Sequence, residues 1–241
     1  MSKGIRVTVI GATGLVGSYV LASLARAGRD VDVTAYARSS KPEPVASEVS
    51  WLPFPELDYF ARAWQQSGML DRMASVVSET LVPGDVFLSC LGTTRRHAGS
   101  AARFKFVDYA VNVAFAKAAK NGGYEAYGLV SSYGAKASSP FLYPQTKGAL
   151  EDYVRGLGFE RLRIYRPGLL EGERGAARFG ESLFGTIAGA AKRVVPSLRI
   201  APYMPIPAQT VAAAMTELVN EGNASEEVLS NRDMQRLTNY E

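Results

Sequence analysis

A glycine-rich turn, Gly11-Ala12-Thr13-Gly14-Leu15-Val16-Gly17, follows directly on the alternating run Ile5-Arg6-Val7-Thr8-Val9-Ile10 near the start of the 241-residue chain. Ile5, Val7 and Val9 fall on one face of a strand, and Val16, Val20, Leu24 and Ala27 recur at helical spacing, so the turn joins a strand to a helix. In such a turn Gly11 permits the tight bend, Gly14 lets the backbone approach a pyrophosphate, and Gly17 lets the helix pack closely on the strand. The start of the helix offers unpaired N–H groups to an anion. Gly11, Thr13, Gly14, Leu15, Val16 and Gly17 are therefore the candidate dinucleotide-binding set.

The remaining pattern repeats this alternation of strand and helix. Residues 31–37 predict a second strand that ends at Arg38-Ser39-Ser40-Lys41, with no carboxylate before Glu43. At that position an acidic residue holds the ribose hydroxyl of NAD, whereas a basic one accommodates the 2′-phosphate of NADP, so Arg38 and Ser39 predict NADPH. A third strand is expected over 47–54, helices over 56–66 and 69–81, and a buried fourth strand over 86–91 that turns Leu91, Gly92 and Thr93 toward the cofactor. One long helix over 101–120 carries the stripe Phe104, Val107, Val111, Ala114 and Ala118. A fifth strand over 127–130 delivers Ser131-Ser132, and a sixth over 162–166 ends at Pro167-Gly168.

Such a sequence predicts an α/β fold, a doubly wound parallel sheet of Rossmann type. A single domain over 1–241 is expected, with a small variable substrate cap at about 169–205, a late strand over 204–207 and a closing helix over 208–220. The polar residues after Gly222 predict a short terminal helix or a frayed end.

Composition mainly excludes. A net charge of +4 with no Lys/Arg block, Arg95-Arg96-His97 being the densest patch, argues against nucleic acid and for an anionic cofactor. One cysteine, Cys90, and one histidine leave neither an internal disulfide nor a zinc ligand set, so no metal is expected. No apolar run reaches the length of a membrane span, and the chain enters its first strand at once, which leads to the expectation of a cytoplasmic protein off the membrane. A second stripe on the 101–120 helix is a candidate dimer face; homodimer and monomer both stay open.

The chemistry lies at Tyr143 and Lys147, four residues apart behind Phe141-Leu142 and opening a helix whose first turn takes Pro144. At that spacing the ammonium sits beside the phenol and should lower its pKa, making a tyrosine able to act as acid toward a carbonyl or as base toward an alcohol. A serine at the end of the fifth strand, Ser131 or Ser132, would hold the substrate oxygen.

Glycine turn, strand-end serines, then Tyr and Lys on a helix: in that order the chain resembles the short-chain dehydrogenase/reductase superfamily over essentially its whole length. The spacing Gly11, Gly14, Gly17 is similar to its extended and atypical branches. More narrowly, Cys90-Leu91-Gly92-Thr93-Thr94-Arg95, Val107-Asp108, Ser131-Ser132, Phe141 to Gly148, and Arg166-Pro167-Gly168 resemble the Tat-interacting-protein-like oxidoreductases. The resemblance implies Ser131 or Ser132, Tyr143 and Lys147 as the active triad, with Lys147 also reaching the nicotinamide ribose. It further implies Arg38 on the 2′-phosphate, Gly92 and Thr93 beside the ribose and pyrophosphate, and Pro167-Gly168 near the nicotinamide. Asp108 stands where other branches carry an asparagine that holds a proton-relay water, and Pro53 stands where many relatives have an adenine-contacting aspartate. An NADPH-dependent reductase of a small carbonyl substrate is the expected function. The alternative is an NADPH-binding regulatory or redox-sensing protein with little turnover. A nucleotide-sugar epimerase fits least, because a chain this short leaves little room for a large sugar-binding domain.

Overall fold

Strand β1 (Ile5–Ile10) pairs in parallel with β2 (Val31–Ala37) on one side and with β4 (Val86–Ser89) on the other, so the chain reverses its winding direction at β1. The computed structural model describes residues 4–26, 30–37, 49–172, 204–220 and 225–238. Among these, β3 (Val49–Pro53), β5 (Ala126–Val130), β6 (Arg161–Tyr165) and β9 (Ser225–Leu229) complete a seven-stranded sheet of order β3-β2-β1-β4-β5-β6-β9, every pair parallel. The doubly wound Rossmann-type architecture is thus the one the sequence predicts.

Period-two side chains explain the two layers. On β4, Val86 and Leu88 join one core with Val7, Val9, Val20, Leu24, Met215 and Leu218, beneath α1 (Leu15–Arg26) and α8 (Ala208–Asn220). Phe87, between them, faces the other core with Met73, Val77, Phe115, Tyr127, Leu129 and Leu150. That second core lies under α2 (Leu57–Ala63), α3 (Met69–Thr80), α6 (Asn112–Asn121) and α7 (Leu142–Gly156). With both faces covered, β4 is apolar at Val86, Phe87 and Leu88, and all four of its residues, Ser89 included, are buried.

Three expectations are corrected. The helix over 101–120 is broken: α5 (Ala101–Lys105) leads into a π-helical segment, Phe106–Val111, before α6 begins. A π turn inserts a residue into the helical period, and here it swings Asp108 inward to full burial. The Asn112 amide closes the segment, donating to Val107 O at 3.0 Å while its Oδ1 accepts the Ser89 hydroxyl at 2.5 Å. A short helix that the sequence reading did not contain, α4 (Arg95–Ala98), precedes it, capped by Thr94. Finally, the polar stretch after Gly222 contains strand β9 before its terminal helix, α9 (Asn231–Thr238). As an edge strand β9 can be polar, and Glu226 and Glu227 pair with Arg155 at 3.0 Å and Arg163 at 2.6 Å.

Of the expected cap, residues 173–203 lie outside the described residues. Its two ends, β7 (Leu170–Glu171) and β8 (Ile206–Pro207), form a separate parallel ladder.

Candidate active site

The two halves of the sheet diverge at β1 and β4, where a doubly wound sheet binds its ligand. Gly11 stands there with φ +73°, a conformation side chains rarely adopt, and a Cβ on it would lie 2.5 Å from the backbone of Cys90 and Leu91. A Cβ on Gly17 would come 2.3 Å from the Gly11 carbonyl, so α1 can start against the turn only as glycine. Gly14 is different: its nearest obstacle is the Gly11 carbonyl, at 3.1 Å, and its open side looks into the cleft.

Two cavities meet at that turn and share Gly14, Cys90, Leu91, Gly92 and Thr93. The larger, about 410 Å³, runs over the ends of β1 and β2 and takes in Gly11, Thr13, Tyr36, Ala37, Phe54 and Asp58. The smaller, about 130 Å³, adds Leu15, Val16, Asp108, Ser131, Tyr143, Lys147 and Gly168. Together they form a trough with a glycine turn at its middle, and these residues fit an extended dinucleotide, whose pyrophosphate Gly14 would admit to the backbone.

The smaller cavity concentrates charge. Lys147 Nζ lies 2.9 Å from Asp108 Oδ1, the two side chains 5% and 0% exposed, and Asp108 Oδ2 accepts the Thr93 N–H at 2.8 Å. A Cβ at position 92 would press on both Asp108 Oδ1 and Lys147 Nζ, so Gly92 leaves them room to meet. Burial holds the Asp108 carboxyl above its usual range, against the pull of Lys147. Burial also opposes the Lys147 charge, but Asp108 and Tyr143 outweigh it and raise the ammonium.

Tyr143 departs from expectation. Burial raises its pKa; Lys147 pulls it down, Asp108 pushes it back up, and the net shift is upward. The sequence shows the lysine one turn away but neither the burial of the phenol nor the carboxylate beside the lysine, so the expected lowering is corrected. The resting group is a neutral phenol.

The serines also separate. Ser131 Oγ donates to Glu151 Oε1 at 2.5 Å and is committed there. Ser132 Oγ is buried and lies beside the Tyr143 hydroxyl, whose ionisation it favours by hydrogen bonding. Pro167 turns its carbonyl to the Tyr133 N–H at 2.8 Å, while Gly168 N–H donates to Asn231 Oδ1 at 2.8 Å and forms part of the small cavity. Leu91, Gly92 and Thr93 line both cavities, and Tyr143 packs on Phe104 at 5.7 Å between ring centres. Arg38 and Ser39 lie outside the described residues. Sequence reasoning passed over Glu151, Asn112 and Asn231; only Glu151 leaves a signal, its place four residues beyond Lys147.

A trough over a glycine turn that ends at a half-buried Tyr143 beside the buried Lys147–Asp108 pair defines an α/β protein of the short-chain dehydrogenase/reductase kind, as the resemblance implied. The family model described as NAD dependent epimerase/dehydratase family matches residues 7–153, from β1 to within α7, and the chain belongs to that family. It is 41% identical over 180 residues to Protein FMP52, mitochondrial, of Candida albicans, covering 74% of this chain and 73% of that one. It is 36% identical to Protein fmp52, mitochondrial, of Aspergillus clavatus, covering 80% and 78%. Among solved structures it is similar in fold to the Bordetella bronchiseptica enzyme WbmH in complex with NAD+, with a TM-score of 0.63 at 12% identity over 94% of this chain and 75% of that one. The expected cytoplasmic location is corrected by these relatives, both named as mitochondrial. Among the described residues no helix is long and apolar enough to cross a membrane, and neither this nor the composition distinguishes one compartment from another.

Proposed function

We propose that the protein is an NADPH-dependent reductase of a small carbonyl compound, with Tyr143 as the proton donor. The observation that carries this reading is the cluster at the end of the trough: Tyr143 and Lys147 line the same small cavity, Lys147 is ion-paired to Asp108, and the buried Ser132 hydroxyl lies beside the tyrosine. The bound dinucleotide would supply the hydride. Ser132 Oγ would hydrogen-bond the substrate carbonyl oxygen and fix it near the Tyr143 hydroxyl. As the carbonyl carbon is reduced, Tyr143 gives its proton to that oxygen, so the product leaves as an alcohol and the tyrosine regains a proton from water. Lys147 stabilises the phenolate while it lasts, and burial, helped by Asp108 beside the lysine, keeps the neutral acid the resting form. This arrangement favours reduction over alcohol oxidation near neutral pH. NADPH in place of NADH follows from Arg38 and Ser39 in the sequence.

The test is NADPH oxidation by the purified protein across aldehydes, ketones and quinones, with NADH and Tyr143→Phe as controls. Turnover that prefers NADPH and is lost in Tyr143→Phe supports the reductase. Tight NADPH binding with no carbonyl reduced replaces it with the regulatory reading.

A further inference from the structure

Tyr143, Lys147 and Glu151 follow one another at i, i+4 and i+8 along one face of α7. The Glu151 carboxylate is 1% exposed and fully occupied. Its Oε1 accepts the Ser131 hydroxyl at 2.5 Å and Arg166 Nε at 2.9 Å, and its Oε2 accepts Arg166 Nη2 at 2.5 Å and Arg155 Nη2 at 3.4 Å. Buried ion pairs are weak stabilisers, because desolvation consumes most of what the attraction returns. Stability is thus a poor reason for a carboxylate here.

What it joins is a better one. Ser131 precedes Ser132 at the exit of β5, and Arg166 precedes Pro167 and Gly168 at the exit of β6. The backbone keeps these exits side by side, Ser131 N–H donating to Tyr165 O at 2.7 Å and Tyr133 N–H to Pro167 O at 2.8 Å. The turn that follows is tied to α7 further on, Lys136 N–H donating to Pro144 O at 2.9 Å, but these two contacts do not fix the exits themselves relative to α7.

We propose that Glu151 is a positioning residue: its carboxylate locks the strand exits bearing Ser132 and Gly168 to the helix that carries Tyr143 and Lys147. Its negative charge also helps keep Lys147 ionised. The kinetic consequence rests on the reductase reading; the lock itself does not.

The experiment compares wild type with Glu151→Gln, Glu151→Asp and Ser131→Ala, and with Leu218→Ala as a destabilised control in the opposite core. Each is measured for Tm, kcat, KM and amide hydrogen exchange. Glu151→Gln is expected to lower kcat about tenfold or more while KM for NADPH moves less than about twofold, since displaced reacting groups are costly to rate. Glu151→Asp recovers part of the rate, and Ser131→Ala loses rate without adding to the Glu151→Gln loss. Exchange at 131–133 and 166–169 should rise about tenfold with the glycine turn unchanged. A kcat that follows Tm across all variants, Leu218→Ala included, overturns the proposal, as does unchanged exchange at both exits. If the wild type reduces no carbonyl, the reductase reading falls and exchange alone decides the lock. If Glu151→Gln does not fold, Ser131→Ala decides it by the same two readouts.

Discussion

The two ends of the trough are built on opposite plans. The smaller cavity gathers Asp108, Lys147 and Tyr143, each facing the others, with Glu151 one turn further along α7 and the π segment aiming Asp108 inward. The larger cavity is about three times as roomy, with Ile10, Phe54, Leu57, Ala61, Phe106, Val107 and Phe115 among its walls, and its polar Asp58 and Arg103 are exposed. Chemistry needs groups held to fractions of an ångström, whereas holding a flat base needs mostly shape and burial. Substitutions at the small end should therefore change rate steeply, and those at the large end should change affinity gently.

Tyr143→Phe gives the largest expected effect. Removing a proton donor costs about 10²–10⁴ in rate, and kcat for reduction should fall by that amount while NADPH affinity, set along the rest of the trough, stays within about threefold. A matched loss in affinity would break the contrast, because it would make Tyr143 chiefly a binding group.

Arg38→Ala tests the cofactor preference that the sequence assigns to that residue. A charge-assisted hydrogen bond is worth about 1.5–3 kcal/mol, so KM for NADPH should rise about ten- to a hundredfold with kcat nearly unchanged and NADH unaffected. Equal losses with both cofactors would remove NADPH selectivity from Arg38.

Asp108→Asn comes next and carries a sign. Asp108 raises both the Tyr143 phenol and the Lys147 ammonium, so removing its charge leaves an unneutralised lysine and lowers the phenol. Reduction needs the phenol protonated, so the alkaline limb of its pH profile should move to lower pH. Alcohol oxidation at neutral pH should gain correspondingly. Removing one partner of a buried pair should also cost about 3 kcal/mol of stability, read as a fall in Tm. A limb that stays in place would show that burial alone keeps Tyr143 protonated.

The fold was legible because β1, β2 and β4 announce themselves by period and by the turns that end them, and because the glycine turn fixes where the sheet opens. The pairing of Tyr143 with Lys147 was legible for a similar local reason, being one helical turn. The rest required tertiary information. Nothing in the spacing of Phe104, Val107 and Val111 reveals an extra residue in the turn, yet that residue brings Asp108 against Lys147, where its charge adds to the burial that raises Tyr143. Ser131 and Ser132 are equal in the sequence and unequal in space because a glutamate twenty residues away takes one of them. β9 was missed because an edge strand answers to its partner arginines more than to a buried face.

Tyr36→Phe should have the smallest effect and sharpens the contrast most finely. The Tyr36 ring lines the large cavity, but its hydroxyl donates to Thr80 O at 2.7 Å and accepts the Val82 N–H at 3.1 Å, tying β2 to the end of α3. Loss of these two bonds should cost about 1 kcal/mol of stability, seen as a shift in urea midpoint. The ring that faces the cofactor stays in place, so KM for NADPH should remain within about twofold and kcat should not move. A change confined to stability is the mark of a wall that shapes a site without taking part in its chemistry. If kcat fell with it, the two ends would be coupled through β2 and the glycine turn, and the division between a permissive binding end and an exacting catalytic end would have to be abandoned.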